Sequence, residues 1–135
     1  MSRPHFLTPA LASQGDWGLR IERTGQWLAT RAHLAGSSES RRKGLLGQDS
    51  LADGQALVIA PTQGIHTFGM RFAIDVVGIS RDGTVVSIRT AVPRRRVVFS
   101  WRAFAIVELD SGSANKAELA IGDIVEALAA PIPCP

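Results

Sequence analysis

Three side chains in this sequence combine a type and a position that could support chemistry: His66, Asp75 and Glu108. The two carboxylates lie within apolar segments, 72–80 and 104–109, where a strand would bury its side chains. An ionised carboxylate buried without a partner costs several kcal/mol, so each must be hydrogen-bonded, paired, protonated or at a rim. A carboxyl group with a raised pKa in an apolar pocket is a candidate general acid or base, and a nearby histidine is its candidate partner.

Each carboxylate also has a structural interpretation, in which it accepts backbone N–H bonds or pairs with an arginine such as Arg71 or Arg41. We predict that Asp75 is buried and hydrogen-bonded to the neighbouring glycine-containing loop or to a basic side chain. Asp75 would then fix the loop that presents His66, as the scaffold of a site and not its reactive centre. For Glu108 both interpretations stay open.

The segment 61–69 is predicted to be a loop, because it contains Pro61, Gly64 and Gly69. Loops on a rigid β scaffold often carry binding residues. The candidate pocket contains six residues: His66, Thr67, Met70, Arg71, Asp75 and Glu108.

No metal-binding motif such as His-x-His or Cys-x-x-Cys occurs, so no metal or other cofactor is expected. His66, Asp75 and Glu108 are only weak metal candidates, together with Asp123. The single cysteine, Cys134, cannot form an internal disulfide.

The elements that position these residues are mainly strands. An antiparallel hairpin of 72–79 and 84–90 is predicted across Arg81-Asp82-Gly83, because Asp-Gly between β-branched runs is a strong hairpin signal. Further strands are predicted from Leu19 and at 27–32, 56–60 and 124–128, and the segments 97–101 and 104–109 are predicted to be two more strands or one interrupted strand. The predicted fold is a small antiparallel β-sandwich or half-open barrel with one short α-helix at about residues 38–46.

The length of 135 residues and an ordinary composition, 45% hydrophobic and 20% charged, indicate one globular domain. We divide the chain into a loose N-terminal arm at 1–16, a single β-rich domain at 17–128 and a C-terminal tail at 129–135. No segment resembles a signal peptide or a membrane span, so we expect a cytoplasmic protein without a membrane partner.

The isoelectric point of the sequence is about 10 although the formal net charge is only +3. The high value comes from thirteen Arg against two Lys. Arg94-Arg95-Arg96 is followed by Val97, Phe99 and Trp101, so this run could hold phosphates while Trp101 stacks on a base. Three arginines in a loop are more often a solvated turn, which we favour. The expected partner is therefore an unidentified small molecule or protein and not nucleic acid.

Three segments occur in a familiar order: RRKGLLGQ at 41–48, HTFGMRFAIDVVGISRDGTVV at 66–86 and AIVELDSGSANKAELAIGDIV at 105–125. Together they resemble the bacterial and archaeal family named domain of unknown function 192, over roughly Leu19 to Leu128. The residues that match the family pattern are Gly44-Leu45, His66, Thr67, Phe68, Met70, Arg71, Asp75, Glu108-Leu109 and Gly122-Asp123.

The chain departs from the family pattern at three positions. Gly69 stands where many members have Trp, Ala73 where they have Pro, and Gly78 where they have a large apolar residue. The loss of the tryptophan would open or remove one wall of a pocket. Many members also carry a signal peptide. Because none is expected in this sequence, an extracytoplasmic role is not carried over from the family. The resemblance implies a compact, mainly β fold with one helix, and it brings no established activity, substrate or cofactor.

Three functions remain compatible with these residues. The first is a small binding or accessory module with a polar-centred pocket around residues 64–75. The second is a hydrolase or lyase that uses Asp75 or Glu108 as general acid or base and His66 as its partner. The third is a structural or assembly protein without a ligand.

Overall fold

The computed structural model describes residues 4–12, 15–37, 40–41 and 49–130. Strands dominate the described part of the chain, which confirms the predicted mainly β class. The elements in chain order are α1 (Thr8–Ala12), β1 (Trp17–Ile21), β2 (Trp27–Ala29), β3 (Arg31–Ala35), β4 (Gln55–Ile59), β5 (Gly64–His66), β6 (Ile74–Ile79), β7 (Val85–Val92), β8 (Val97–Phe99), β9 (Ala105–Asp110), α2 (Ser113–Lys116) and β10 (Val125–Ala129).

These strands form three sheets. One has three strands in the order β10-β1-β2, one has five in the order β3-β4-β9-β6-β7, and β5 pairs with β8 as a separate ribbon. All pairings are antiparallel except β3–β4, which is parallel. The described strands therefore form an open arrangement of several sheets, with no closed barrel among them.

The five-stranded sheet is apolar on both faces and separates two cores. Val77 and Val107 belong to the first core, which includes residues of the three-stranded sheet and of α1. Val76 and Ile106, next along the same strands, belong to the second core. Because strand side chains alternate, neighbouring residues on β6 and β9 enter opposite cores.

The predicted hairpin is confirmed as β6 and β7. Its turn places Gly83 at φ 94, and the N–H of Gly83 donates to the carbonyl of Ser80 at 3.0 Å. The carboxylate of Asp82 accepts from the hydroxyl of Ser80 and from the N–H of Thr84. Asp82 and Gly83 thus supply the acceptor and the left-handed backbone that this turn requires.

Two predicted segments differ in detail. The predicted strand 27–32 is divided into β2 and β3, because the N–H groups of Thr30 and Arg31 both donate to the carbonyl of Gly54 and turn the chain into the second sheet. The predicted loop 61–69 contains a short strand, β5, because its backbone pairs with β8.

The predicted loose arm at 1–16 is packed in its described part. Leu7 is 1% exposed and Ala10 is also buried in the first core. The N–H of Phe6 donates to the carbonyl of Arg81 at 2.9 Å. The expectation of looseness is wrong for these residues, because removing their apolar surface from water offsets the entropy of ordering a short segment.

The predicted helix at about 38–46 lies outside the described residues except for 40–41, which are helical. Most of the predicted tail, 131–135, lies outside them too, as does Cys134. None of the described helices has the length and apolarity to span a bilayer.

Candidate functional site

Asp75 is fully buried on β6, as predicted. Its Oδ2 accepts hydrogen bonds from the N–H groups of Gly112 and Ala114 at 3.1 and 3.0 Å, and its Oδ1 accepts one from Ala91 at 2.9 Å. Gly112 is the N-cap residue of α2 and has no side chain to cap it, so the distant carboxylate performs that role. Three backbone donors satisfy Asp75, and no basic side chain of the described residues pairs with it.

The loop that Asp75 fixes is a different one from the predicted loop. Its donors lie at the start of α2 and at Ala91, in a bulge of β7 where the pairing with β6 shifts between Ile74 and Val76. None of its hydrogen bonds reaches the segment 64–69 that contains His66. Asp75 instead holds the start of α2, and Ser113 and Lys116 of that helix line a groove of about 450 Å³ together with Trp27 and Asp53. The predicted burial and backbone hydrogen bonding of Asp75 are confirmed, but its donors do not lie in the loop that contains His66.

Asp75 and Glu108 lie on opposite faces of the five-stranded sheet. In the antiparallel register of β6 and β9, Asp75 is opposite Leu109, whereas Glu108 is opposite Val76. Leu109 belongs to the first core and Val76 to the second. The two carboxylates therefore cannot form one polar centre, although they belong to neighbouring strands.

Glu108 is 2% exposed and lies among apolar residues. Its nearest neighbours across the register are Val76 on β6 and Leu57 on β4. Its Oε2 is buried and meets no hydrogen-bond donor among the described residues. Burial raises the pKa of Glu108 to about 7, because removal from water disfavours the charged form.

The same row of the sheet carries two further polar residues that the sequence did not single out. His33 is opposite Leu57, and Arg89 is opposite Val76, so each lies two strands from Glu108. With strands about 4.8 Å apart, each backbone is roughly 10 Å from that of Glu108. Both side chains are exposed. The alternation within β3 is a sequence signal that predicts which face of the sheet His33 lies on. It does not predict that His33 is level with Glu108, because that depends on the pairing of β3 with β4.

His66 and Thr67 are adjacent but have different surroundings. His66 is exposed, opposite Val97 in the ribbon, and its ring centroid is 5.9 Å from that of Phe68. Thr67 is fully buried. Its hydroxyl donates to the carbonyl of Pro93 at 2.7 Å and accepts from the N–H of Arg96 at 2.8 Å. Thr67 thereby joins two loops, and its polar atoms are occupied.

Met70 and Arg71 also separate. Met70 is buried in the second core, on the side of the sheet that carries Glu108. Arg71 is exposed and pairs with Asp49 at 2.6 Å. Asp123 pairs with Arg23 at 2.7 Å and accepts from the N–H of Ala120, so it stabilises the predicted Gly-Asp turn. No group of three or more metal-ligating side chains is found in the described part of the chain.

The departures from the family pattern have local structural counterparts. Gly69 adopts φ 81, a conformation that a tryptophan would rarely take. A Cβ on Gly78 would overlap the hydroxyl groups of Ser87 and Ser100, which are 2.9 Å apart and lie above this glycine. In this chain a pair of serines thus fills space that a larger residue at position 78 would need.

Comparisons with known structures support the fold. A crystal structure of a protein of unknown function from Novosphingobium aromaticivorans superimposes with a TM-score of 0.73 at 20% identity, over 81% of this chain and 83% of that one. A protein from Sinorhizobium meliloti, described as a candidate transcription regulator, gives a TM-score of 0.74 at 16% identity, over 94% and 98% of the two chains. At these identities the likeness concerns the fold alone.

No curated protein matches the sequence. The model of the family domain of unknown function 192, described as "Uncharacterized ACR", matches residues 19–127. That range is most of the chain and contains the His66, Asp75 and Glu108 motifs. The chain therefore belongs to the family domain of unknown function 192, as its sequence motifs indicated.

Proposed function

We propose that this chain is a small binding module whose ligand lies on the Glu108 face of the five-stranded sheet. The observation that supports this proposal is the buried Oε2 of Glu108, which has no donor within the described ranges. A buried acceptor without a partner costs about 1–3 kcal/mol, and native proteins contain few such atoms. A ligand that supplies the missing donor would recover that free energy on binding.

The surroundings of Glu108 favour a ligand with an apolar body. Four apolar side chains that pack on the second core are only partly buried: Leu57, Ile65, Phe72 and Val86. Leu57 is directly opposite Glu108, so apolar surface beside the carboxyl group is accessible. The complementary ligand combines an apolar group with one N–H or O–H donor.

This proposal retains part of the predicted pocket. Glu108 and Met70 stay in it, because they lie on the same side of the sheet. Asp75 is left out because it faces the first core, and Thr67 because its hydroxyl already has partners. His66 is left out because it lies on the outer face of the ribbon.

A hydrolase or lyase is the second candidate. It is favoured by the pKa of Glu108, which burial raises to about 7, a value suited to proton transfer at neutral pH. This function needs a second group to complete the proton transfer. His33 is the histidine in the same row, and its backbone is roughly 10 Å from that of Glu108. Binding is ranked first because it requires only Glu108 and the apolar surface beside it.

A thermal-shift screen of the full chain against small amphiphilic amines, amides and alcohols tests the binding proposal. A ligand that binds the native state raises Tm by mass action, even when its affinity is modest. The decisive variant is Glu108→Met, which keeps the side-chain volume and removes the acceptor. We expect the shift seen with the wild-type chain to disappear in this variant.

Asp110→Asn is the matched control, because Asp110 lies two residues further on β9 and on the same face. The control should keep the ligand-induced shift. Equal shifts in the wild-type chain and Glu108→Met would locate the ligand elsewhere and contradict the proposal. Hydrolysis of an ester or amide during the screen, lost in Glu108→Met, would instead favour the enzyme.

A further inference from the structure

The ribbon of β5 and β8 presents an unusual outer surface. Val98 packs in the second core, so its neighbours Val97 and Phe99 lie on the opposite face. Val97 is 72% exposed, Phe99 63%, and Trp101 in the following turn 70%. We call these three side chains and the exposed Phe68 the apolar ridge. Only two other large apolar side chains are exposed in the described part of the chain.

The backbone beneath the apolar ridge is well connected. Thr67 joins the loop after β5 to the loop before β8, and the N–H of Ser100 donates to the carbonyl of Gln63 at 2.6 Å. Gly64 lies beneath Phe99, since a Cβ there would be 3.1 Å from the Phe99 ring. The exposed side chains are therefore held on a fixed support and do not belong to a fraying segment.

The segments that form and flank the apolar ridge carry only positive charges. The segments 54–74 and 83–107 contain no Asp or Glu, but they contain six arginines: Arg71, Arg89, Arg94, Arg95, Arg96 and Arg102. Arg71 pairs with Asp49, whereas the other five are exposed and form no ion pair with any described residue. A surface with apolar side chains and unpaired cations is complementary to an anionic and partly apolar partner.

A small groove lies beside the apolar ridge. It has a volume of about 210 Å³, and its lining includes Arg89, Thr90, Arg96 and Val97. Two guanidinium groups and a hydroxyl are suitable donors for the oxygens of a phosphate ester. Val97 belongs to both the groove and the apolar ridge, so a phosphate in the groove would lie next to the exposed apolar side chains.

We propose that the apolar ridge and its arginines dock this protein on the surface of a bilayer that contains anionic phospholipid. Trp101, Phe99, Phe68 and Val97 enter the interfacial region, where aromatic side chains are favoured. The arginines contact lipid phosphates, and the groove holds one headgroup phosphate. This proposal differs from the expectation of no membrane partner. That expectation was based on the lack of a membrane-spanning segment, and the sequence alone does not show that the apolar ridge is exposed.

A bilayer fits these observations better than a polymer partner. An extended peptide or a single nucleic-acid strand is usually held in a groove, whose walls shield the lining side chains. Val97, Phe99 and Trp101 are each more than 60% exposed and therefore protrude. Val97 is also aliphatic, so it cannot stack on a base, whereas it can enter an interface beside the aromatic rings.

Vesicle flotation of the full chain tests the proposal. We expect binding to vesicles of phosphatidylcholine with phosphatidylglycerol, weaker binding to phosphatidylcholine alone, and release at high salt because the charges are solvent-exposed. Tryptophan fluorescence should shift to the blue on binding. Trp101→Phe should remove most of that shift, since the other two tryptophans, Trp17 and Trp27, lie in the three-stranded sheet. It should keep most of the binding, because phenylalanine is also apolar and aromatic.

Two pairs of variants separate charge from apolar contact. Arg94→Gln with Arg96→Gln should lower the partition coefficient by about 25-fold, at about fivefold for each arginine. Its control, Arg31→Gln with Lys116→Gln, changes the net charge equally outside the apolar ridge and should have a much smaller effect. Phe99→Ser with Trp101→Ser should weaken binding at every salt concentration, whereas the exposed Ile121→Ser should not.

Several results would overturn the proposal. One is the absence of binding to anionic vesicles. Another is binding to single-stranded DNA or to an acidic peptide such as polyglutamate that is tighter than binding to vesicles. A third is tight binding of free glycerol phosphate in the groove with vesicle association unchanged in Phe99→Ser with Trp101→Ser. That last result would assign the groove to a soluble phosphate ester.

Discussion

Asp75 and Glu108 are two carboxylates on neighbouring strands of one sheet, and they meet opposite surroundings. Asp75 faces the first core and accepts three backbone N–H bonds. Glu108, displaced by one position in the register, faces the second core, and its Oε2 has no donor within the described residues. Both are at most 2% exposed, so burial alone does not distinguish them.

The difference between them comes from what reaches each face of the sheet. The start of α2 and the β7 bulge bring free N–H groups to Asp75, and such groups need an acceptor as much as the carboxylate needs donors. Leu57 and Val76, on the strands beside Glu108, bring only apolar side chains. These surroundings favour a structural role for the carboxylate that accepts backbone N–H bonds, and a functional role for the one that meets only apolar side chains.

The largest expected effect is that of Asp75→Ala. This change leaves the N–H groups of Ala91, Gly112 and Ala114 without their acceptor, and it should lower the free energy of unfolding by about 3–5 kcal/mol. Asp75→Asn should cost less, because one amide oxygen still accepts. Urea denaturation measures both. Asp49→Ala, which removes an exposed carboxylate, is the control and should cost less than about 0.5 kcal/mol.

If Asp75→Asn kept full stability, the three hydrogen bonds to Asp75 would not contribute to the stability of the fold. The contrast between Asp75 and Glu108 would then be wrong. Loss of ligand binding in Asp75→Asn at unchanged stability would assign Asp75 to the chemistry as well.

The next effect is a dependence on pH that belongs to Glu108. Its pKa is raised from 4.5 to about 7 in the folded chain, so the folded state holds a proton that the unfolded state releases. The stabilisation that this group contributes is fully present below the pKa of Glu108 in the unfolded chain. It is lost as the pH rises through the pKa of Glu108 in the folded chain. The loss should be about 3 kcal/mol in total, and it should be absent in Glu108→Gln. Denaturation across this pH range measures it.

A wild-type chain whose stability did not fall relative to Glu108→Gln between acid and neutral pH would contradict the lack of a donor to Glu108 Oε2 among the described residues. In that case a donor must compensate its charge.

A smaller effect is expected at Gly112, one of the donors to Asp75. Gly112 adopts φ 96, and a Cβ there would meet no atom within 4 Å. Gly112→Ala should therefore cost about 1–2 kcal/mol through backbone conformation alone. Combined with Asp75→Asn, it should cost less than the sum of the two single changes, because both act on the same hydrogen bonds. If the two costs were additive in a double-mutant cycle, the conformation of Gly112 and its hydrogen bond to Asp75 would be energetically independent.

The smallest effect is expected at the outer positions of the Glu108 row. His33→Ala and Arg89→Ala should each change the free energy of unfolding by less than about 0.5 kcal/mol, because both side chains are exposed. The pH dependence assigned to Glu108 should persist in both variants. Its disappearance in either one would show that the charge state of Glu108 is coupled across the row.

The sequence was sufficient for features that depend on local spacing. Alternation within 72–80 predicted the burial of Asp75, and Asp82-Gly83 predicted the β6–β7 hairpin, because both follow from contiguous residues. The opposite orientation of Asp75 and Glu108 could not be predicted in the same way. It depends on the register between β6 and β9, which long-range packing determines and no local pattern encodes.

The donors to Asp75 were missed for the same reason. Gly112 and Ala114 are 37 and 39 residues away along the chain, so nothing near Asp75 reveals them. The apolar ridge was also hidden, since Val97 and Phe99 in the sequence are typical of a buried strand. Only the pairing of β8 with β5, outside the larger sheets, shows that one of its faces remains exposed.

The pairing of β1 with β10 has a consequence for synthesis of the chain. Trp17 is opposite Ala129, so strands from nearly opposite ends of the sequence share one sheet. On the ribosome, β1 can pair with β2 early, but its other edge stays unpaired until β10 (Val125–Ala129) has been made. The β6–β7 hairpin and its pairing with β9 involve shorter separations and can form earlier. The three-stranded sheet, and the first core that it covers, should therefore close last, leaving Leu19 and Ile21 exposed to chaperones until then.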